Sequence, residues 1–294
     1  MLAAGGRRRV VGRRETAMEQ LEGRVAVITG GGSGIGEGLA HACHAAGMRV
    51  VLGDVEEEQA ARVANDVREL GGDAIAVHAD VSTPESLDEL AARAYEAFDA
   101  VHLLCNNAGV LTVAPLVETP ETDWEWTLGV NLLGPIHGVR AFVPRIREQP
   151  GDEAHIVNTG SVAGTFAISG MPIGVYTASK YAVVGYSEML RMELEPEGIG
   201  VSVLCPGGVA TRIQEAGRNR PDALGGPIEQ GPQVAERRRE RAADRPPPME
   251  PREVGERVLD GVRANRLYIF THADQRGPVE DRYHEMMAAY DAIE

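Results

Sequence analysis

Tyr176 and Lys180 stand four residues apart in the run Tyr176-Thr177-Ala178-Ser179-Lys180. On a helix, positions i and i+4 share a face, so the lysine ammonium can lie beside the phenol. A free tyrosine ionises near pH ~10, too high for a base at neutral pH, and a neighbouring cation lowers that value by favouring the phenolate. The pair is therefore a candidate for proton transfer. A Tyr-x-x-x-Lys spacing is common and by itself carries no meaning. What raises this one is Ser161, at the end of an apolar run upstream, together with a glycine-rich turn near the start of the chain.

That turn, Thr29-Gly30-Gly31-Gly32-Ser33-Gly34-Ile35-Gly36, directly follows an apolar run and opens a helical one. Glycines let the backbone approach a pyrophosphate closely, and a helix N-terminus offers free N–H groups and the positive end of its dipole. The spacing Gly30-x-x-x-Gly34-x-Gly36 differs from the general G-x-G-x-x-G fingerprint. Asp54 ends the next apolar run, where an acid accepts hydrogen bonds from adenosine ribose hydroxyls and repels a 2′-phosphate. Ser33 places no positive charge beside it, so the two features favour NAD over NADP. The competing reading makes Asp54 a surface acid at the head of the Glu56-Glu57-Glu58 helix.

These residues need a frame. Short apolar runs at Val25–Ile28, Val50–Gly53, Ile75–His78, Val101–Cys105, His155–Thr159, Val201–Cys205 and Leu267–Phe270 alternate with longer amphipathic stretches. That alternation predicts an α/β fold, a doubly wound (Rossmann) parallel sheet of about seven strands with helices on both faces. Thr83-Pro84-Glu85 and Thr119-Pro120-Glu121 look like helix starts, the second opening a long helix that carries Asn131. Ligands of such sheets sit beyond the carboxyl ends of the strands, which puts the site in the loops after strands one, two, four, five and six.

Composition narrows the class. The 294 residues are 43% hydrophobic and 25% charged, as in soluble globular proteins. The net charge of −15 disfavours nucleic acid and anionic membrane surfaces as partners. No apolar run reaches the ~18 residues a membrane helix needs. Cys43, Cys105 and Cys205 are widely separated and read as reduced, buried residues of a cytoplasmic protein. Residues 1–20 read as a disordered extension whose first part is arginine-rich, with Met18 as a second start, in preference to a transit peptide. Residues 21–294 read as one dinucleotide-binding domain. Within it the Arg-, Glu-, Gly- and Pro-rich stretch 212–251 reads as a lid insert, and Arg237-Arg238-Arg239, interleaved with acids, as a solvated face.

With these motifs in place, the sequence resembles the short-chain dehydrogenases/reductases in their compact single-domain form. The matching segments are Thr29–Gly36, Asp80-Val81, Asn106-Asn107-Ala108-Gly109, Asn131, Ser161, Tyr176 to Lys180 and Pro206-Gly207, in the family's order and across nearly the whole chain. The resemblance implies a cofactor site of Gly30, Ser33, Gly34, Ile35, Gly36, Asp54, Asp80, Val81, Asn107, Ala108, Gly109, Pro206, Gly207, Val209 and Thr211, completed by Tyr176 and Lys180. Asp80 and Val81 would flank the adenine, and Val209 and Thr211 would contact the carboxamide end of the nicotinamide. Tyr176 would be the general acid/base, and Lys180 would lower its pKa and hold the nicotinamide ribose. Ser161 would bond the reacting oxygen, and Asn131 would position a relay water. The spacing from Ser161 to Tyr176 is longer than the family commonly shows, which puts the pocket's shape in question.

The expected reaction is hydride transfer between a secondary alcohol or ketone and NAD. A biosynthetic ketone reductase and a non-catalytic dinucleotide sensor are the alternatives, and the intact Ser161, Tyr176 and Lys180 argue against the sensor. Apolar pocket edges at Val110, Leu111, Phe166, Ile173, Val209 and Ile213, without an arginine clamp, suggest a bulky neutral substrate. Two long C-terminal segments resemble members with longer tails, including dehydrogenases of bulky aryl alcohols from lignin. His41 and His44 lack a carboxylate or cysteine set, so no metal is expected. Of Trp124 and Trp126, at most one belongs to the core. Surplus apolar positions at Leu128, Leu132, Ala182, Val183, Tyr186 and Met189 predict a homotetramer.

Overall fold

The structure, a computed structural model, describes residues 18–149, 153–228 and 247–293. Seven strands are present: β1 Val25–Thr29, β2 Arg49–Asp54, β3 Ala74–His78, β4 Leu103–Asn106, β5 Ala154–Thr159, β6 Ile199–Cys205 and β7 Tyr268–Phe270. They form one parallel sheet in the order β3-β2-β1-β4-β5-β6-β7. A parallel sheet is covered on both faces, so its strands are continuous apolar runs. Accordingly every residue of β1, β4, β5 and β6 is buried.

The helices are α1 Gly34–Ala45, α2 Glu57–Glu69, α3 Pro84–Phe98, α4 Glu121–Leu128, α5 Gly134–Glu148, α6 Gly174–Leu194, α7 Pro251–Arg263 and α8 Arg276–Asp291. Leu39 of α1, Val63 of α2 and Val258 of α7 pack in one core layer. Leu90 of α3, Phe142 of α5 and Leu190 of α6 pack in the other. The chain leaves β3 at one edge and returns at β4, next to β1, which opens a crevice beyond the carboxyl ends of β1 and β4.

Several boundaries differ from the sequence reading. Val101 and His102 precede β4 instead of belonging to it, and β6 begins two residues early at Ile199. The long helix from Glu121 is interrupted by a single π turn, Gly129–Leu133, which carries Asn131. Such turns inside helices are frequent at functional sites. Thr83 occupies the N-cap of α3, but its hydroxyl donates to the Asp80 carbonyl and makes no cap bond. At α4 the cap position belongs to Pro120. Met18 is fully buried in the α1/α7 layer, so the folded body starts before residue 20, while residues 1–17 lie outside those described.

Residues 212–228 are not structureless. Two 3-10 turns, Ile213–Asn219 and Asp222–Leu224, carry the chain across the crevice, and Ala216 and Arg220 are buried. Residues 229–246, including Arg237 to Arg239, lie outside the described residues. The chain rejoins at Met249, whose N–H donates to the Gly208 carbonyl while its own carbonyl accepts from Ala210.

Candidate active site

The end of β1 and the end of β4 are stapled together by a residue the sequence reading left without a role. The Thr29 hydroxyl oxygen accepts the N–H groups of Asn107 at 3.0 Å and Ala108 at 3.1 Å. Asn107 answers by donating its amide to the carbonyls of Thr29 and Gly30. Gly30 turns at φ 64, where a Cβ would lie 2.8 Å from the Ala108 backbone, and a Cβ at Gly36 would strike the Gly30 carbonyl. Only glycine allows the turn, the α1 N-terminus and the β4 loop to close to this distance.

Beyond this staple lies a cavity of about 390 Å³. Gly30, Ser33, Gly34, Ile35, Asp54, Asp80, Val81, Asn107, Ala108, Gly109, Tyr176, Lys180, Pro206 and Thr211 all line it. The loop after β3 contributes alongside the five named from sequence. Gly36, Asn131, Ser161, Gly207 and Val209 do not line it. Gly36 sits behind the turn, Asn131 is fully buried, and the Gly207 N–H is used by the Thr271 hydroxyl. Val209 pairs with Met249 through the backbone. Asp80 spends one carboxylate oxygen on the N–H and hydroxyl of Ser82, which shapes its own loop.

At the adenosine end expected from sequence, both oxygens of Asp54 are engaged, with the N–H of Gly32 at 2.8 Å and that of Glu56 at 2.9 Å. Burial raises its pKa and these two N–H groups oppose the rise. At the other end stand Tyr176 and Lys180. Burial raises the pKa of the Tyr176 phenol, and the Ser161 hydroxyl nearby opposes that rise. Lys180 Nζ lies 5.6 Å from the Tyr176 ring centroid and donates to the Thr159 carbonyl at 2.8 Å. Burial pulls its pKa down to about 8. The amide of Asn131 makes three hydrogen bonds: its oxygen accepts from Val110 N–H at 2.8 Å, and its nitrogen donates to the Val110 carbonyl and the Ser179 hydroxyl.

The roof of the cavity was not legible from sequence. Ala216 packs with Val110 and Trp126, and Leu224 joins them, while Leu111, Phe166, Ile173 and Val209 are not among the lining residues. Arg218 pairs with Glu56 at the mouth, and Arg212 lies 3.8 Å from the same carboxylate. Arg220, almost wholly buried, meets Asp123 at 2.8 Å and the Thr122 hydroxyl at 2.8 Å. Apart from the Arg/Glu/Pro composition of the insert, no local pattern announced these partners. Elsewhere His41 does have carboxylates beside it, Glu37 and Asp66, but Arg62 already holds both, at 3.0 and 2.9 Å.

A profile of short chain dehydrogenases matches residues 24–222. The chain belongs to the short chain dehydrogenase family. This short chain dehydrogenase is an oxidoreductase that exchanges hydride between a CH–OH donor and a nicotinamide cofactor. It is 34% identical over 273 residues to a C alpha-dehydrogenase of Sphingobium, with 90% of this chain and 86% of that one covered. It is 37% identical to a 3-alpha-(or 20-beta)-hydroxysteroid dehydrogenase of Mycobacterium tuberculosis, over 67% of this chain and 73% of that one. A Burkholderia phymatum short chain dehydrogenase/reductase, solved in complex with NAD, superposes with a TM-score of 0.85 at 40% identity, covering 92% and 97% of the two chains. The glycine turn, the α1 N-terminus it leads into and the Asp54 carboxylate that braces it line one cleft and fit such a dinucleotide.

Proposed function

We propose that the protein is an NAD-dependent dehydrogenase of bulky, neutral secondary alcohols, with Tyr176 as the general acid/base. The observation that carries this reading is a single cleft lined by Tyr176, by Lys180, whose Nζ lies 5.6 Å from the Tyr176 ring centroid, and by Asp54. NAD, when bound, supplies the hydride acceptor. Tyr176 takes the hydroxyl proton of the alcohol, and Ser161 holds the same oxygen as its charge changes. Lys180, a cation within reach of the phenol's ring, favours the phenolate and holds the ribose end of the cofactor. Asn131, its amide held by Val110 and Ser179, positions a relay water.

Asp54 supports NAD over NADP, because a carboxylate held there by two N–H groups repels a 2′-phosphate. The roof of Val110, Trp126, Ala216 and Leu224 is apolar, which supports a large uncharged substrate. The relatives named for a C alpha position and for hydroxysteroids suit the same size class. Residues 212–228 act as a lid anchored by Arg218 and Arg220. Homo-oligomer formation, most simply a tetramer, is supported less by the positions marked from sequence than by α8. Val183 is buried on the sheet and only Met189 of those six is mostly exposed, whereas no residue of α8 is buried and Tyr283, Met286 and Tyr290 face outward. A reducing cytoplasm suits the three buried free cysteines.

A screen of secondary alcohols with NAD, followed by absorbance of the reduced cofactor, tests the reading. Turnover of bulky neutral alcohols is expected. Activity confined to carboxylate-bearing substrates or to NADP would overturn it.

A further inference from the structure

Ser179 is fully buried, and its hydroxyl is used twice. It donates to the Tyr176 carbonyl at 2.7 Å and accepts the Asn131 amide at 3.1 Å. The first bond is ordinary, since serine in a helix often bonds back to the preceding turn. The second reaches across to another element, the π turn of Gly129–Leu133. Asn131 in turn grips both backbone groups of Val110, the residue that follows Asn107-Ala108-Gly109. One unbroken chain of hydrogen bonds thus links the cofactor loop, the π turn and the helical turn that bears Tyr176 and Lys180.

We propose that Ser179 is a positioning residue for the reaction, acting through Asn131 and the Tyr176 backbone to hold the Tyr176 hydroxyl against Ser161. The proposal rests on the reading of Tyr176 as the acid/base. A single π turn inside a helix is rare, and here Asn131 ties it to its neighbours. Two of the Asn131 bonds go to a loop. Ser179 supplies the bond to a rigid helix, and preorganised groups depend on such support from behind. The ionisable groups that face the phenol among the described residues are Lys180 on α6 and the buried Cys205 thiol at the end of β6, so its titration reports its placement among them.

The same helix contains an internal control. Ser187, also fully buried, donates to the Val183 carbonyl at 2.7 Å and accepts the Asn158 amide at 3.0 Å. It repeats the Ser179 pattern about two turns further on, but it ties α6 to β5 and reaches no lining residue of the cavity.

Ser179→Ala and Ser187→Ala are compared for kcat, KM, melting temperature and the pH dependence of kcat. Both are expected to melt earlier by similar amounts. Only Ser179→Ala should lower kcat, by about tenfold or more, with the Kd for NAD within about twofold and the apparent pKa of kcat moved upward. Ser179→Cys, which keeps a weak donor, should recover part of the loss and serves if the alanine variant does not fold. Combined with Asn131→Ala, Ser179→Ala should add little further loss, because both act on one chain of bonds. Equal kcat for Ser179→Ala and Ser187→Ala, or full additivity with Asn131→Ala, would overturn the proposal. Tyr176→Phe in parallel separates the two readings, since an active Tyr176→Phe refutes the acid/base role itself.

Discussion

The carboxylate of Asp54 accepts the Gly32 N–H at 2.8 Å across 22 residues of sequence. One side chain at the end of β2 therefore braces the glycine turn at the end of β1 and stands at the rim of the dinucleotide cleft. Two consequences follow for substitution, one for the turn and one for cofactor choice.

Asp54→Ala should weaken NAD binding by tenfold to about a hundredfold, the range of a lost hydrogen bond to a charged group. It should weaken NADP binding less, because repulsion of the 2′-phosphate disappears at the same time. Competitive titration of the two cofactors reads the narrowing. A parent that binds NADP more tightly than NAD would sink the assignment.

Tyr176→Phe keeps the ring and removes the hydroxyl. Turnover should fall by ~10²–10⁴, the usual contribution of a positioned acid/base, while NAD affinity stays near that of the parent. Lys180→Ala should harm both, since its Nζ bonds the Thr159 carbonyl and lies 5.6 Å from the centre of the phenol ring. Steady-state rates with fluorescence titration of the cofactor separate the two outcomes.

Arg220→Ala should release the lid. It strands Asp123 in a buried position, and breaking a buried ion pair by removing one partner costs about 3–5 kcal/mol. Limited proteolysis should then cut within 212–228 sooner, and KM for the alcohol should rise more than kcat falls. In the parent, cofactor plus substrate should slow the same cut. Cleavage indifferent to ligands would reduce the segment to a linker.

His155 should make the protein acid-sensitive. Its Nε2 lies 2.7 Å from the Ser202 hydroxyl, which already donates to the Arg266 carbonyl, so the imidazole donates there and leaves Nδ1 unpartnered and buried. Burial, helped by Arg191, lowers its pKa to about 3. The unfolded chain takes up this proton near its ordinary value of about 6.5. The neutral imidazole's contribution is therefore complete above that pH and is lost as pH falls toward 3, at up to about 1.4 kcal/mol per unit. Urea denaturation at pH 7, 6 and 5 should show a steeper loss for the parent than for His155→Gln. Parallel curves would refute it.

Sedimentation at micromolar concentration tests association. A single 31.5 kDa species would mean that the exposed stripe of α8 has no partner in a second copy.

Much of this molecule was written in short stretches of sequence. The β1–β6 runs, the glycine turn and the Tyr176–Lys180 spacing are local patterns, and local patterns survive folding because strand burial and helical periodicity act between near neighbours. That is why the doubly wound parallel sheet could be anticipated, with Tyr176, Lys180 and Asp54 expected in the loops and helix starts beyond its strand ends. The departures are contacts over long separations. The Glu56–Arg218 pair spans 162 residues, Thr122 and Arg220 are 98 apart, and Lys180 bonds a carbonyl 21 residues away instead of the phenol beside it. No window of sequence contains both members of such a pair. The π turn at Asn131 belongs with them, because a one-residue bulge leaves the helical pattern nearly intact and is held by Val110 and Ser179 from outside. Composition alone marked 212–251 as a lid insert; how its 212–228 part is held, by packing against Trp126 and by two buried or half-buried ion pairs, depends on where α4 and the end of β2 come to lie.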